Sequence, residues 1–205
     1  TQADQEDVVD WVQANRRAAI FATAGNLSET TIDILDEAEG TDDSSLAAYL
    51  KDNSINRAMC IYHKDALTDY VDAGLLAVAV VQRPGVYTLC HKTVLGSSVD
   101  SITPTQAMNV HSKYASTYEE IGERNIIFDS KVGTGTYFDL IIWLDWVETQ
   151  IKKNEYGLLV STLKLSYTDG GIAQIESILD KTLKLEQAVG AITPFFHAFR
   201  EREMI

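Results

Sequence analysis

The chain has 205 residues, 45% apolar and 23% charged, and its longest uninterrupted apolar run, residues 75–81, is seven residues long. These values exclude a disordered chain, a collagen and a long coiled coil, and the run is far short of the roughly 18–20 residues a membrane-crossing helix needs. Seventeen Lys and Arg against 30 Asp and Glu give a net charge of −13, which repels a phosphate backbone, so no direct nucleic-acid binding is expected.

The acidic excess is uneven. Residues 1–75 hold 15 acids and 5 bases, and residues 76–205 hold 15 and 12. Such charge serves solubility, and its sharper reading is a basic partner facing the acidic part. Val8, Val9, Trp11 and Val12, preceded by acids and followed by Arg16 and Arg17, predict a helix with its charges in dipole order. Residues 18–23 predict a strand that Gly25 and Asn26 break. Residues 28–45 are polar and acidic, with a loop at 40–43 and Asp43 or Ser44 as cap of a helix through Leu46, Ala47, Tyr49 and Leu50. Residues 57–62 predict a second strand, and 65–81 a helix. Arg83-Pro84-Gly85 is a turn, and the branched and aromatic residues of 86–94 look extended. Thr103-Pro104 opens a helix running to about Ile121, with Gly122 as its stop. A strand at 125–128 and a loop at 133–136 follow. Ile141, Leu144, Val147 and Ile151 then mark one apolar face of a helix from 137 to about 159. Residues 166–169 connect it to a helix over 171–189, with Ile172, Ile175, Leu179 and Leu183 as its stripe and Gly190 as its end. Short apolar strands alternating with amphipathic helices predict an α/β fold, a central mixed β-sheet flanked by helices.

The chemistry-bearing residues are sparse. Cys60 and Cys90 lie in no CxxC, and Cys60, inside Ala58-Met59-Cys60-Ile61-Tyr62, reads as a small buried hydrophobe. The first residues show neither the basic region nor the apolar stretch of a signal peptide, and the missing initiator Met reads as processing or as a piece of a longer product. Asn26-Leu27-Ser28 matches a glycosylation triplet, with nothing else that looks secreted. Gly133-Thr134-Gly135-Thr136 lacks the Lys of a phosphate loop and the third glycine of a dinucleotide loop, so it reads as a tight turn and no cofactor is expected. His63, His91, His111 and His197 show no i, i+3 or i+4 pairing, and His91 and Cys90, as strand neighbours, would point to opposite faces, so no metal is expected. Glu119, Glu120 and Glu123 read as a solvated helix face. Asp139 and Asp145, six residues apart, lie about 120° from each other on a helix and make no acid/base pair. Trp143 and Trp146, at i and i+3, read first as core and second as an aromatic anchor in a protein interface. No catalytic, cofactor-binding or metal residue is named, and no enzyme is expected.

One ordered run of residues goes further. Gly135, Phe138 and Asp139 precede Asp145-Trp146, Gln150-Ile151, Leu158-Leu159, Lys164, Tyr167-Thr168-Asp169, Gly171-Ile172-Ala173 and Gly190. Upstream stand an acidic helix entering an apolar strand at 11–23, then Ala73-Gly74, Pro84-Gly85, Lys92, Leu95-Gly96 and the helix opened by Thr103. In this order they resemble the tail sheath proteins of contractile bacteriophages, of the myophage and prophage branch, over about residues 8–192. Residues 36–43 and 75–82 fit the pattern loosely. The resemblance implies a sheath core domain over 1–192, with 28–45 as an acidic insertion exposed or in contact with a neighbouring subunit. Residues 193–205 would be a tail, without the further domain the family continues into, which makes the chain a central portion of the subunit. It also implies the function: a structural subunit that polymerises as stacked hexameric discs around the tail tube and contracts to drive the tube through the host envelope. Its partners would be other copies of itself, the tube protein, and the baseplate and tail terminator proteins, with no membrane insertion. It would reside in the virion after assembly in the bacterial host cytoplasm. The sheath of a tailocin or of a type VI secretion system would share these features. A tube or baseplate protein would be more β-rich. A cytosolic α/β enzyme would have to use Asp139, Asp145 and Tyr167 beside the glycine loop.

Overall fold

A computed structural model of the chain describes residues 2–25, 34–35, 45–188 and 190. They fall into two units, one comprising residues up to 82 together with 87–141, the other comprising 83–86 and the chain from 142 on.

Unit 1 is built on four strands, β1 (Ala19–Thr23), β2 (Ala58–Tyr62), β3 (Ser116–Ile121) and β4 (Arg124–Phe128), in the spatial order β1-β2-β3-β4. β2 runs parallel to β1 and to β3, with Ala19 opposite Ala58 and Ile61 opposite Ser116, while β4 returns antiparallel with Phe128 opposite Thr117. The sheet is therefore mixed and the class is α/β. All five β2 residues are buried, as befits a strand covered on both faces. Helices α1 (Gln2–Ala14), α2 (Leu46–Asp52), α3 (Val71–Val80) and α4 (Pro104–Ser112) pack on these strands. Val9 of α1, Leu46 and Leu50 of α2 and Val110 of α4 form one core cluster with Ala58, Cys60 and Tyr62, alternate residues on one face of β2. Ile34 joins that cluster and is fully buried, Lys113 Nζ donates to its carbonyl at 3.2 Å, and Asn109 Nδ2 donates to the carbonyl of Leu35 at 2.9 Å. This part of the acidic segment is thus core rather than exposed insertion. The loop expected at 40–43 and the cap expected at Asp43 or Ser44 lie outside the described residues. The observed cap of α2 is Ser45, whose Oγ accepts the Ala48 N–H at 3.2 Å.

The largest departure from expectation is at 103–121, which is not one helix. Thr103 and Gln106 form a capping box as the Thr-Pro start predicts, but α4 ends at Ser112 and β3 begins at Ser116. The stop is a Schellman motif: Tyr114 sits in the left-handed region (φ 61), its N–H donates to the His111 carbonyl, and the Ala115 N–H donates to the Val110 carbonyl. Ser116, Thr117 and Tyr118 then suit a strand. Gly122 closes no helix. With Glu123 it makes the two-residue hairpin turn between β3 and β4, both residues having positive φ (60 and 62). Glu119 and Glu120 are strand residues for the same reason.

Arg16 and Ser54 end α1 and α2 in the same left-handed way (φ 51 and 50), again without glycine. Ser54 is exposed, so Ser54→Gly is expected to raise stability by about 0.5–1 kcal/mol in urea melts by relieving left-handed strain.

Two further expectations shift. The helix expected over 65–81 is confined to α3, because residues 65–70 are used in turns, the Asp65 carbonyl accepting the Thr68 and Asp69 N–H groups at 2.9 and 2.8 Å. Residues 86–94 form no strand. His91 is left-handed (φ 62), and the backbone bonds to β4 are those from the His91 N–H to the Ile127 carbonyl and from the Ile127 N–H to the Lys92 carbonyl, with the Thr93 hydroxyl donating to the Asn125 carbonyl at 2.7 Å.

Helix α5 (Phe138–Ser161) begins in unit 1 and continues in unit 2, where α6 (Asp169–Ala188) follows. Both lie close to their predicted spans. Gly171 is required where it stands, since a Cβ there would come 1.9 Å from the Ser166 carbonyl oxygen.

Candidate functional site

The densest polar cluster of unit 1 sits where β2 ends. His63 is fully buried, its Nδ1 2.9 Å from Asp100 Oδ2, and Asp100 Oδ1 also accepts the Lys64 N–H at 3.0 Å. On the other side of the ring, Nε2 lies 3.1 Å from Asp69 Oδ2 without making a well-directed hydrogen bond. Burial alone would raise the Asp69 pKa. Hydrogen bonds from the Ser98 N–H, the Ser97 side chain and the Ser98 hydroxyl, together with the nearby His63 ring, outweigh it and hold the carboxyl down at about 2. These bonds tie the end of β2 to the segment before α3 and to residues 97–100. The arrangement fastens loops, and the Ser97 and Ser98 side chains beside it are bonded to the Asp69 carboxylate. Because the folded pKa of Asp69 lies below its unfolded value near 3.9, the stabilisation is complete above about pH 4 and is lost as pH falls towards 2. Asp69→Asn is expected to cost about 2 kcal/mol at neutral pH and to flatten that acid limb in pH-dependent urea melts.

The residues an enzyme reading would need are not brought together by any bond among the described residues. Asp139, in the first turn of α5, belongs to unit 1, and its Oδ1 is buried without a hydrogen-bond partner. Burial raises its pKa, against the pull of N–H groups at its own position and Leu140 and of the Lys92 charge. Asp145 and Tyr167 belong to unit 2, where Tyr167 is fully exposed and has no side-chain partner among the described residues. The glycine loop has a packing explanation. A Cβ on Gly133 would strike the carbonyl of Leu50 at the end of α2, and Gly135 takes a positive φ of 78.

Cys60 is buried in the core cluster and burial pushes its thiol up to about 12, so it behaves as a hydrophobe. Cys90 Sγ lies 3.6 Å from His91 Nδ1. The left-handed turn at His91 therefore places these two side chains together, contrary to the opposite faces a strand would give. Among the described residues no group of three or more His, Cys, Asp or Glu is placed to hold a metal ion, and no helix is long and apolar enough to cross a membrane.

The two tryptophans serve unit 2 itself. Trp143 Nε1 donates to Glu186 Oε2 at 3.0 Å, Arg83 pairs with Glu186 Oε1, and the Arg83 guanidinium stands 4.5 Å from the centre of the Trp146 ring. Glu186 is fully buried within this group. Sequence reasoning missed it because its acid and its arginine are 103 residues apart.

What remains are surfaces. No Leu or Ile of α6 is buried, and its fully covered residues are Gly171, Thr182 and Glu186. On α5, Tyr156, Leu159 and Val160 recur at i, i+3 and i+4 as an exposed stripe that Leu163 extends, Val160 being 88% exposed. Between the two helices runs a groove of about 440 Å3 lined by Trp146, Gln150, Gly157, Ile178 and Leu185 among others. Charge divides sharply between the units. Unit 1 carries 9 Lys and Arg against 21 Asp and Glu, a net of −12, and unit 2 carries 8 against 9, a net of −1.

The sequence matches no known family profile and no curated protein.

Proposed function

We propose that the chain is a structural subunit of a contractile phage tail sheath, working in the virion by polymerising around the tail tube and contracting to drive it through the host envelope. The observation that carries this reading is the uncovered apolar stripe of unit 2. Ile172 and Leu183 on one face of α6, and Tyr156, Leu159 and Val160 of α5, are exposed at helical spacings. Burying one such side chain is worth about 1.5–3 kcal/mol, so a surface of this kind marks an interaction site. The ordered run from Gly135 to Gly190 spans the same two helices and the segment that joins them, and supports the reading.

A sheath subunit needs no catalytic group. It needs a rigid core and surfaces whose contacts are more extensive in the contracted polymer than in the extended one, so that assembly in the extended form stores free energy. The four-stranded sheet of unit 1, with its five-residue buried β2, is a suitable rigid core. Tube, baseplate and terminator proteins would bound the polymer. Maps of the assembled tail at both lengths test this. The expected result is an unchanged strand register, Ile61 still opposite Ser116, with altered contacts between copies. A re-registered sheet within each subunit would overturn it.

A further inference from the structure

The groove between α5 and α6 contains an unexplained residue. Gly157 lies in the interior of α5, where glycine costs about 1 kcal/mol relative to Ala. Its φ is not positive, and a Cβ added there would meet nothing within 4 Å. Nothing inside the subunit therefore requires a glycine, whereas a second body approaching the helix closely would. Lys181 lines the groove and Lys184 lies beside it in the adjoining depression, and neither has a carboxylate partner among the described residues. Of the neighbouring acids, Glu148 pairs with Lys152 and Glu186 with Arg83, Asp145, Glu176 and Asp180 have interactions of their own, and Glu155 lines the adjoining hollow with Leu158 and Ile178.

The complementary surface is on α1. Its inner face buries Val9 and Val12 in the core of unit 1. Its outer face presents Asp7, Val8 and Trp11 at i, i+1 and i+4, and Trp11, 58% exposed, has no side-chain partner among the described residues. An aromatic anchor beside an acid complements a groove that Trp146, Leu158, Ile178 and Leu185 line together with Lys181. Lengths agree as well. The 13 residues of α1 span about 20 Å, and the groove follows α5 over residues 146–161, about 22 Å at 1.5 Å per residue.

We propose that α1 of one copy of this chain docks in the α5–α6 groove of the next, with the Trp11 indole over Gly157 and Asp7 facing Lys181. The contact rests on the assembly reading above and gives it a direction. It joins two different surfaces, so it propagates from copy to copy and does not close into a two-fold dimer. The Gln150 side chain, without a partner among the described residues, offers an acceptor for the indole N–H.

The test is sedimentation velocity of the full chain over a concentration series, with melting by circular dichroism to confirm folding. Gly157→Leu, which fills the groove while improving helix propensity, is expected to melt no lower than the parent yet associate at least about 10-fold more weakly. Trp11→Ala is expected to weaken association by a similar factor of about 10. Asp7→Lys and Lys181→Glu should each weaken it about 5-fold, and the two together should return it to within about threefold of the parent. Folded variants that associate like the parent would overturn this interface and leave the assembly reading standing. Sensitivity to Gly157 and Lys181 but not to Trp11 and Asp7 would assign the groove another occupant and equally overturn it. A parent chain that stays monomeric throughout would overturn both.

Discussion

Gly133→Ala is expected to prevent unit 1 from folding stably. The added Cβ would lie 2.0 Å from the Leu50 carbonyl oxygen, 2.5 Å from its carbon and 2.8 Å from the Ile55 carbonyl oxygen. These are backbone atoms, so no rotamer change relieves the clash. The Leu50 carbonyl is also committed, since it accepts the Ile55 N–H at 2.9 Å in the motif that ends α2. Moving it would unseat Leu46, Leu50 and Ile55, all buried in the core cluster. A loss of about 4 kcal/mol or more is expected, against a total stability of about 5–15 kcal/mol for a domain. Thermal and urea melts should show little or no cooperative transition. Gly157→Ala is the control, expected to be neutral or to gain up to about 1 kcal/mol. A Gly133→Ala protein within about 1 kcal/mol of the parent would mean that the loop does not approach α2 this closely.

The second large effect is expected at Glu186. Its carboxylate is fully buried and is shared by the Arg83 guanidinium and the Trp143 indole N–H. Glu186→Ala strands both donors and opens a cavity beside a helix that buries none of its leucines or isoleucines. Breaking a buried ion pair from one side costs about 3–5 kcal/mol, and the lower end is expected because Arg83 is about one third exposed and keeps some hydration. Glu186→Gln, which still accepts from Trp143 but removes the charge facing Arg83, should cost less. Hydrogen exchange of the α6 amides is the direct readout. Protection should fall strongly in the Ala variant and moderately in the Gln variant, and equal losses would mean that the charge contributes nothing.

Local signals carried much of the fold. The strand positions at β1, β2 and β4 follow from short apolar or branched runs between breakers, and the start of α4 follows from Thr103-Pro104. The ends of α3 and α5 lie close to their predicted places, but the left-handed ends were not legible. Arg16, Ser54 and Tyr114 take the left-handed position without being glycine. Nothing local announces them, so the helix from Thr103 was extended to Gly122, a residue that belongs to a hairpin. Partnerships across the chain were not legible at all. His63 meets Asp100 across 37 residues and Glu186 meets Arg83 across 103, and periodicity carries no information on such pairs. The α6 stripe shows the same limit from the other side. Its spacing reveals an apolar face but not what covers it, and in the subunit itself Ile175 and Leu179 are half-buried while Ile172 and Leu183 stay exposed.

The most direct measurement is negative-stain electron microscopy of the purified full-length gene product at concentrations that favour assembly. Hollow cylinders of uniform diameter, built from stacked rings, are the expected result. A product that remains a small soluble oligomer under every assembly condition, and more so one that turns over a small molecule, would contradict a mechanical role.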